Sequence, residues 1–324
     1  VNPQYPGLVA TLNDVGLGPL EFYGNYVFMG GGAYGLKIID VTQIDAPAVV
    51  ATYSLQFDDW SASANDLWIS DNKLYIVGSG HVGLEVADIS NILSPTLSGF
   101  FIRGRIQAIE KKDNYLYVLN PYEVGGSSTH EDHRIQIIDI ADPSNPIINN
   151  DITTTYNGEV MTLFGDYLGV ATYWNDPWSN RAASFDIIDI SDPANAQLIS
   201  SSSFSIYPHE IVIKNNKAFI SASYQTTKEI LIYDVSDPNN PQNITTYSVG
   251  DIWDIAVDTT VLAVKQNNAG VQTVDLVDIS DLPTTTILSS ISTESGGGSN
   301  SMIIINHNLY IGLGNGVRVY DISD

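Results

Sequence analysis

Apolar and polar positions alternate with a period of two through most of this chain, in short runs broken by Gly, Asn, Asp and Pro. That period puts successive side chains on opposite faces of an extended strand, so the pattern predicts β-strands throughout. Between Glu229 and Pro241 the chain reads "EILIYDVSDPNNP", an alternating run that ends on Asp234 and enters a Pro-rich turn. Variants recur as "RIQIIDIADPSNP" around Asp139 and "SFDIIDISDPANA" around Asp189. Aligned on the Asp that closes each run, the copies end at Asp40, Asp88, Asp139, Asp189, Asp234, Asp275 and Asp321. The intervals are 48, 51, 50, 45, 41 and 46 residues. A repeat of this length, built from β-branched segments, is the period of a four-stranded propeller blade.

Each copy parses into four strands. A first strand such as "HEIVI" leads through the turn "KNNK" to a second, "AFISAS". A variable loop precedes the strand that ends on Asp, and an outer strand such as "PQNITTYSV" follows the turn. The last copy stops at "DISD", Asp321–Asp324, with no outer strand after it. The missing strand is found at the other end: "PGLVATL", residues 6–12, matches "PAVVATY", residues 47–53, the outer strand of the first copy. The expected fold is all-β. It is a seven-bladed β-propeller of four-stranded blades in one domain, residues 1–324, its ring closed by residues 6–12 completing the last blade.

The repeated "LxIxDxSDPxNP" resembles the LVIVD repeat of bacterial and archaeal surface or secreted proteins. That resemblance implies a β-propeller outside the cell and says little about activity. Two copies depart from it: "ADISNILSP" lacks the second Asp-Pro pair, and "VDLVDISDLP" carries an extra residue before Pro283. The repeated Asp has a structural reading, since a carboxylate at a strand end can accept backbone N–H bonds in the turn. Seven such carboxylates at this spacing lack the dense oxygen ligands of a calcium site. Function is therefore expected where the copies differ.

Composition narrows the partners. Thirteen Lys and Arg against 37 Asp and Glu give a formal charge of −24. Such a surface repels phosphate backbones and excludes nucleic acid as a partner. It leaves a divalent cation such as calcium as the one cofactor to consider. There is no Cys, hence no disulfide or thiolate metal site. No apolar run spans a bilayer. The chain begins at Val1, which reads as a processed or trimmed chain and suits an exported protein.

The starts of the inner strands align as Gly18–Pro19, Asn65–Asp66, Gln107–Ala108, Glu159–Val160, His209–Glu210, Trp253–Asp254 and Asn300–Ser301. Asp66, Glu159, Glu210 and Asp254 would then ring the channel mouth, with His209 and Trp253 among them. Like charges so placed raise one another's pKa or hold a cation; the alternative is a hydrated entrance without chemistry. Two loops on that face are long, residues 120–133 and 173–183. They carry Tyr122, Trp174 and Trp178, while Trp60 and Tyr207 precede inner strands nearby. Aromatic rings beside carboxylates suit a carbohydrate or a protein ligand, unless they only pack their own loops. "HEDH" brings His130, Asp132 and His133 together as metal-ligating residue types, but in a loop without helical spacing it reads equally as solvated polar chain.

Motifs for nucleophile elbows, phosphate loops and metalloprotease helices are absent from the sequence. The leading reading is a secreted or cell-surface binding module, placed ahead of an enzyme without excluding one, with a glycan or protein ligand meeting the two loops and the channel mouth. Its rivals are a metal-assisted hydrolase or lyase using His209, Glu210, Asp254 and Glu159, and a purely structural domain of a larger adhesin. "NIT" at Asn243 is a lone glycosylation sequon on an outer strand.

Overall fold

The computed structural model describes residues 7–13, 18–30, 35–56, 64–78, 83–102, 106–120, 134–141, 147–175, 181–268, 271–293, 301–313 and 316–323. β1 (Gly7–Asn13) opens the chain. Blade one is β2 (Leu20–Tyr23), β3 (Tyr26–Met29), β4 (Leu36–Asp40) and β5 (Ala48–Tyr53). Blade two is β6 (Ala64–Ser70), β7 (Lys73–Gly78), β8 (Leu84–Asp88) and β9 (Thr96–Ile102). Blade three is β10 (Ala108–Lys112), β11 (Tyr115–Asn120), β12 (Arg134–Asp139) and β13 (Ile147–Thr153). Blade four is β14 (Asn157–Phe164), β15 (Tyr167–Asn175), β16 (Arg181–Asp189) and β17 (Gln197–Phe204). Blade five is β18 (Tyr207–Lys214), β19 (Lys217–Tyr224), β20 (Thr227–Asp234) and β21 (Gln242–Ser248). Blade six is β22 (Asp251–Val257), β23 (Val261–Asn268), β24 (Val271–Asp278) and β25 (Thr286–Ser292). β26 (Met302–Ile305), β27 (Asn308–Leu313) and β28 (Gly316–Asp321) follow.

Each sheet has four strands in sequence order, and the seventh runs β26, β27, β28, β1. The N-terminal strand thus completes the last blade, antiparallel to β28 with Gly7 opposite Asp321 and Asn13 opposite Gly316. The molecule is a seven-bladed β-propeller.

Two compact units are present: Val1–Gly104 with Ala256–Ile279 and Thr286–Asp324, and Arg105–Ile255 with Ser280–Thr285. In the first, Val27, Met29 and Ile39 of blade one pack against Tyr310, Val317 and Val319 of blade seven, with Leu12 of β1 beside them. In the second, Leu119 and Ile135 of blade three pack against Met161 and Val170 of blade four. A Cβ on Gly158 would lie 2.3 Å from Leu119 Cδ1, so only glycine lets these blades approach so closely.

The repeated turn is built as its sequence suggests. Asp40, Asp88, Asp139, Asp189, Asp234 and Asp321 end their strands. Each accepts the backbone N–H two residues on, from Thr42, Ser90, Ala141, Ser191, Ser236 and Ser323, at 2.8–2.9 Å. In all seven blades the residue after the turn Asp donates to the hairpin between the first two strands, as Val41 does to Asn25 and Ile322 to His307. In blade two, Asn91 stands where a second Asp would and accepts from Leu93 N, as Asp192 does from Ala194 and Asp237 from Asn239.

Blade six corrects the sequence alignment. Its strand ends at Asp278 rather than Asp275, and Ile279 makes the hairpin bond to Thr260. Asp278 lies 44 residues after Asp234 and 43 before Asp321, a more even spacing than the Asp275 alignment. "VQTVDLVD" offers two Asp residues three apart, and only the ladder with β23, Val261 opposite Asp278, decides between them.

Asp275 belongs instead with Glu85 and Asp186, each three residues before a turn Asp and each buried. Glu85 accepts from the Tyr53 hydroxyl at 2.5 Å and Gln56 N at 2.9 Å. Burial raises its pKa, and those two bonds oppose the rise. Asp275 accepts from Gln266 and, at 2.5 Å, from Ser290. Blades two, four and six therefore carry a carboxylate inside the sheet packing, satisfied by hydroxyl, amide or N–H donors.

Ionisations shifted in opposite directions shape the pH dependence of stability. Hydrogen bonds from Lys73 and from Ser90 hold Asp88 well below the usual carboxylate range; Lys217 and Ser236 hold Asp234 at about 2. These depressed groups stabilise the fold above their unfolded pKa, and that contribution is lost as pH falls through the folded one. In the first unit, burial, reinforced by Asp66, pushes Glu21 up to about 8. A raised carboxyl works the other way: stability declines as pH rises from the unfolded value toward about 8, because the folded state resists ionisation. Glu21→Gln should flatten the fall in melting temperature between pH 5 and pH 8 and leave the acid limb unchanged. A parallel decline in both proteins would count against a buried Glu21.

Candidate functional site

A polar cluster that joins three blades sits at the inner-strand starts of blades three to five, within the second unit. Pairing slips by one residue at Gly158/Val160 and at Pro208/Glu210, leaving Glu159 and His209 in β-bulges. A bulge frees a residue from the ladder and re-aims its side chain. Gln107 lies at the matching place before β10, its N–H on Leu119 O.

These positions meet at Glu159. Its Oε2 accepts from the Tyr207 hydroxyl at 2.7 Å and from Gln107 Nε2 at 3.3 Å. Three consecutive blades thus contribute to one carboxylate. The Tyr207 ring meets Tyr173 edge-on, centroids 4.6 Å apart at 76°, and His209 at a tilt of 54°, 5.2 Å away. His209 Nε2 lies 2.6 Å from Ser223 Oγ, across the β18–β19 pair. The imidazole is exposed, yet the protein around it desolvates it enough to hold its pKa below the ordinary histidine value. That shift favours the neutral imidazole, in which one ring nitrogen donates and the other accepts.

The other predicted residues are placed differently. Glu210 is half-buried just after the His209 bulge. Asp254 is buried and accepts from Ile255 N at 2.9 Å, a local bond that Asp66 repeats with Leu67 N in the first unit. Trp174 is half-buried. Trp60, Tyr122, Trp178, His130, Asp132 and His133 lie outside the described residues, as does the side chain of Trp253. Among the described residues no three His, Cys, Asp or Glu side chains group as a metal site requires.

The loop expected over residues 173–183 is shorter than the sequence suggested. The β15–β16 ladder continues through Tyr173 opposite Ala183, Trp174 opposite Ala182 and Asn175 opposite Arg181. Tyr and Trp suit a pleated surface, and the small Ala182 and Ala183 across from them let the pair extend. Tyr173 is consequently a buried ring under Tyr207 rather than part of a loop wall. Sequence reasoning passed over Ser223 and Tyr173; both sit on second strands, and only the bulged register reveals their partners.

Fold and repeated turn together define a repeat propeller. Residues 20–54, 61–102, 130–154 and 161–203 match the LVIVD repeat. Those stretches carry the LVIVD repeat on a seven-bladed propeller. Blades five to seven share the hairpin bond after the turn Asp. No curated protein sequence matches the chain. Among solved structures, the C-terminal WD40 domain of Sif2 is similar with a TM-score of 0.63 at 11% identity, over 98% of this chain and 99% of that one. YCF48 bound to D1 peptide has a TM-score of 0.62 at 9% identity, over 100% and 96%. A functionally unknown protein from Desulfotomaculum acetoxidans DSM 771 has 0.62 at 13%, over 87% of each chain. At these identities the likeness is one of fold. Among the described residues no helix is long and apolar enough to cross a membrane.

Proposed function

We propose that this propeller is an extracellular or cell-surface interaction module that takes a protein ligand on the inner-strand starts of blades three to five. The observation that carries this is the Gln107–Glu159–Tyr207 cluster, one residue from each of three consecutive blades, with exposed His209 beside it. Rigid strands hold these groups in place before any ligand arrives, which limits the entropy cost of binding. A glycan fits less well, because Tyr207, the described ring nearest the cluster, already packs against Tyr173 and His209. The charge of −24 favours a partner with basic residues. That YCF48 was solved with a peptide shows a propeller of similar fold accepting a polypeptide segment.

Peptide and glycan arrays probed with the whole chain test this reading. Binding to basic peptides is expected, with at least about tenfold loss in Tyr207→Ala and Glu159→Gln, the effect of ~1.4 kcal/mol. Peptide binding untouched by both variants would move the site elsewhere, and binding to glycans alone would overturn the ligand class.

A second reading rests on the 2.6 Å approach of His209 Nε2 to Ser223 Oγ, which has the geometry of a base beside a nucleophile. Labelling of Ser223 by a fluorophosphonate, abolished by His209→Gln, would favour an esterase-like activity; an unlabelled protein removes it.

A further inference from the structure

The seven outer strands share one register position, opposite the residue just before the turn Asp. It is filled by Leu8, Val49, Leu97, Ile148, Leu198, Asn243 and Ile287. A register shift follows this position in every blade, a bulge that spoils each outer edge for pairing with another chain. Six of the seven are aliphatic and exposed, from 37% at Leu198 to 58% at Ile148. Blade five alone breaks the rule, with an exposed Asn.

That Asn opens "Asn243–Ile244–Thr245", and no other Asn in the 324 residues is followed by a residue other than Pro and then Ser or Thr. The chain's single sequon therefore coincides with the one outer strand that departs from the aliphatic pattern. The position lies on β21, last in its sheet, so its outer edge has no strand in front of it. Across the ladder Asn243 stands opposite Tyr233.

We propose that Asn243 is an acceptor for N-linked glycosylation. The donor is a polyprenyl-pyrophosphate-linked oligosaccharide, and a membrane-bound transferase that reads Asn-x-Thr carries out the step. The Asn243 amide nitrogen forms a bond to the anomeric carbon and loses one proton to a base of the transferase. The bond from that carbon to the pyrophosphate oxygen breaks, and the lipid pyrophosphate leaves. One amide hydrogen remains on the nitrogen, and the ladder to β20 is made by backbone groups that the reaction does not touch. A glycan there covers the edge of blade five, where the other blades rely on the bulge alone. Occurrence in life depends on the extracellular placement proposed above, whereas acceptor competence does not.

Cell-free translation of the full chain behind a cleavable signal peptide, with endoplasmic-reticulum microsomes, separates the two. The expected result is one upward mobility step that peptide-N-glycosidase removes. It disappears in Asn243→Gln and in Thr245→Ala and persists in Thr245→Ser. Imported chain without an enzyme-sensitive step overturns the proposal, and so does a step that survives in both Asn243→Gln and Thr245→Ala. Native protein carrying no glycan despite competence in microsomes would count against the extracellular placement instead.

Discussion

Removing Gly7–Asn13 should cost this propeller more stability than any single substitution. β1 pairs with β28 through six residues, and each ladder bond contributes about 1 kcal/mol net. Its loss also uncovers Val317, Val319 and Tyr310 beside Leu12, so the expected deficit is on the order of 5 kcal/mol or more. The truncated chain should melt far below the full one, or without a cooperative transition. A synthetic peptide of residues 6–13 should restore the melting temperature in a concentration-dependent way, because a ligand that binds only the folded state stabilises it by mass action. Equal melting temperatures with and without β1 would show that the first three strands of blade seven hold without their outer partner.

The second large effect is expected at Asp186, which is fully buried. Its carboxylate accepts from Thr155 N at 2.7 Å, Thr155 Oγ1 at 2.9 Å, Ser184 Oγ at 2.7 Å and Ser201 Oγ at 2.7 Å. Asp186→Ala removes the acceptor from the buried Ser184 hydroxyl and from two donors of half-buried Thr155, while exposed Ser201 can turn to water; each unsatisfied donor costs roughly 1–3 kcal/mol, so about 3 kcal/mol or more is expected. Asp234→Ala makes the contrast. Its carboxylate is partly exposed, capping Ser236 and pairing with Lys217, and its removal should cost about 1 kcal/mol. Chemical denaturation of both variants checks the order; equal losses would mean that water reaches the Asp186 site and satisfies its donors.

The contrast between Asp186 and Asp234 also marks how far sequence can be read. Both occur in "SFDIID"-like runs, and the repeat picks out the strand-ending Asp because its bonds run to Ser236, two residues away. Asp186 has one local partner in Ser184, but Thr155 lies 31 residues upstream and Ser201 15 downstream, on neighbouring segments that no local pattern relates. The same limit explains Asp275. Two Asp residues three apart both end an alternating run at an acceptable repeat length, and pairing with β23 shows which closes the strand.

Period-two alternation and a repeat of 40 to 50 residues were enough to determine seven four-stranded blades and the closing role of the N-terminal strand. Strand formation and the Asx turn are set by residues close together in the chain. They determined the alignment of the inner-strand starts as well, since Asp66, Val160 and Glu210 all follow a register shift. Tertiary structure alone decided which of those residues meet. A bulge turns Glu159 toward Gln107 and Tyr207, the extended β15–β16 ladder sets Tyr173 beneath Tyr207, and Ser223 reaches His209 from the adjacent strand. Contacts between blades depend on register and twist summed over many residues, so composition can name the candidate side chains while only the packed sheets assemble them.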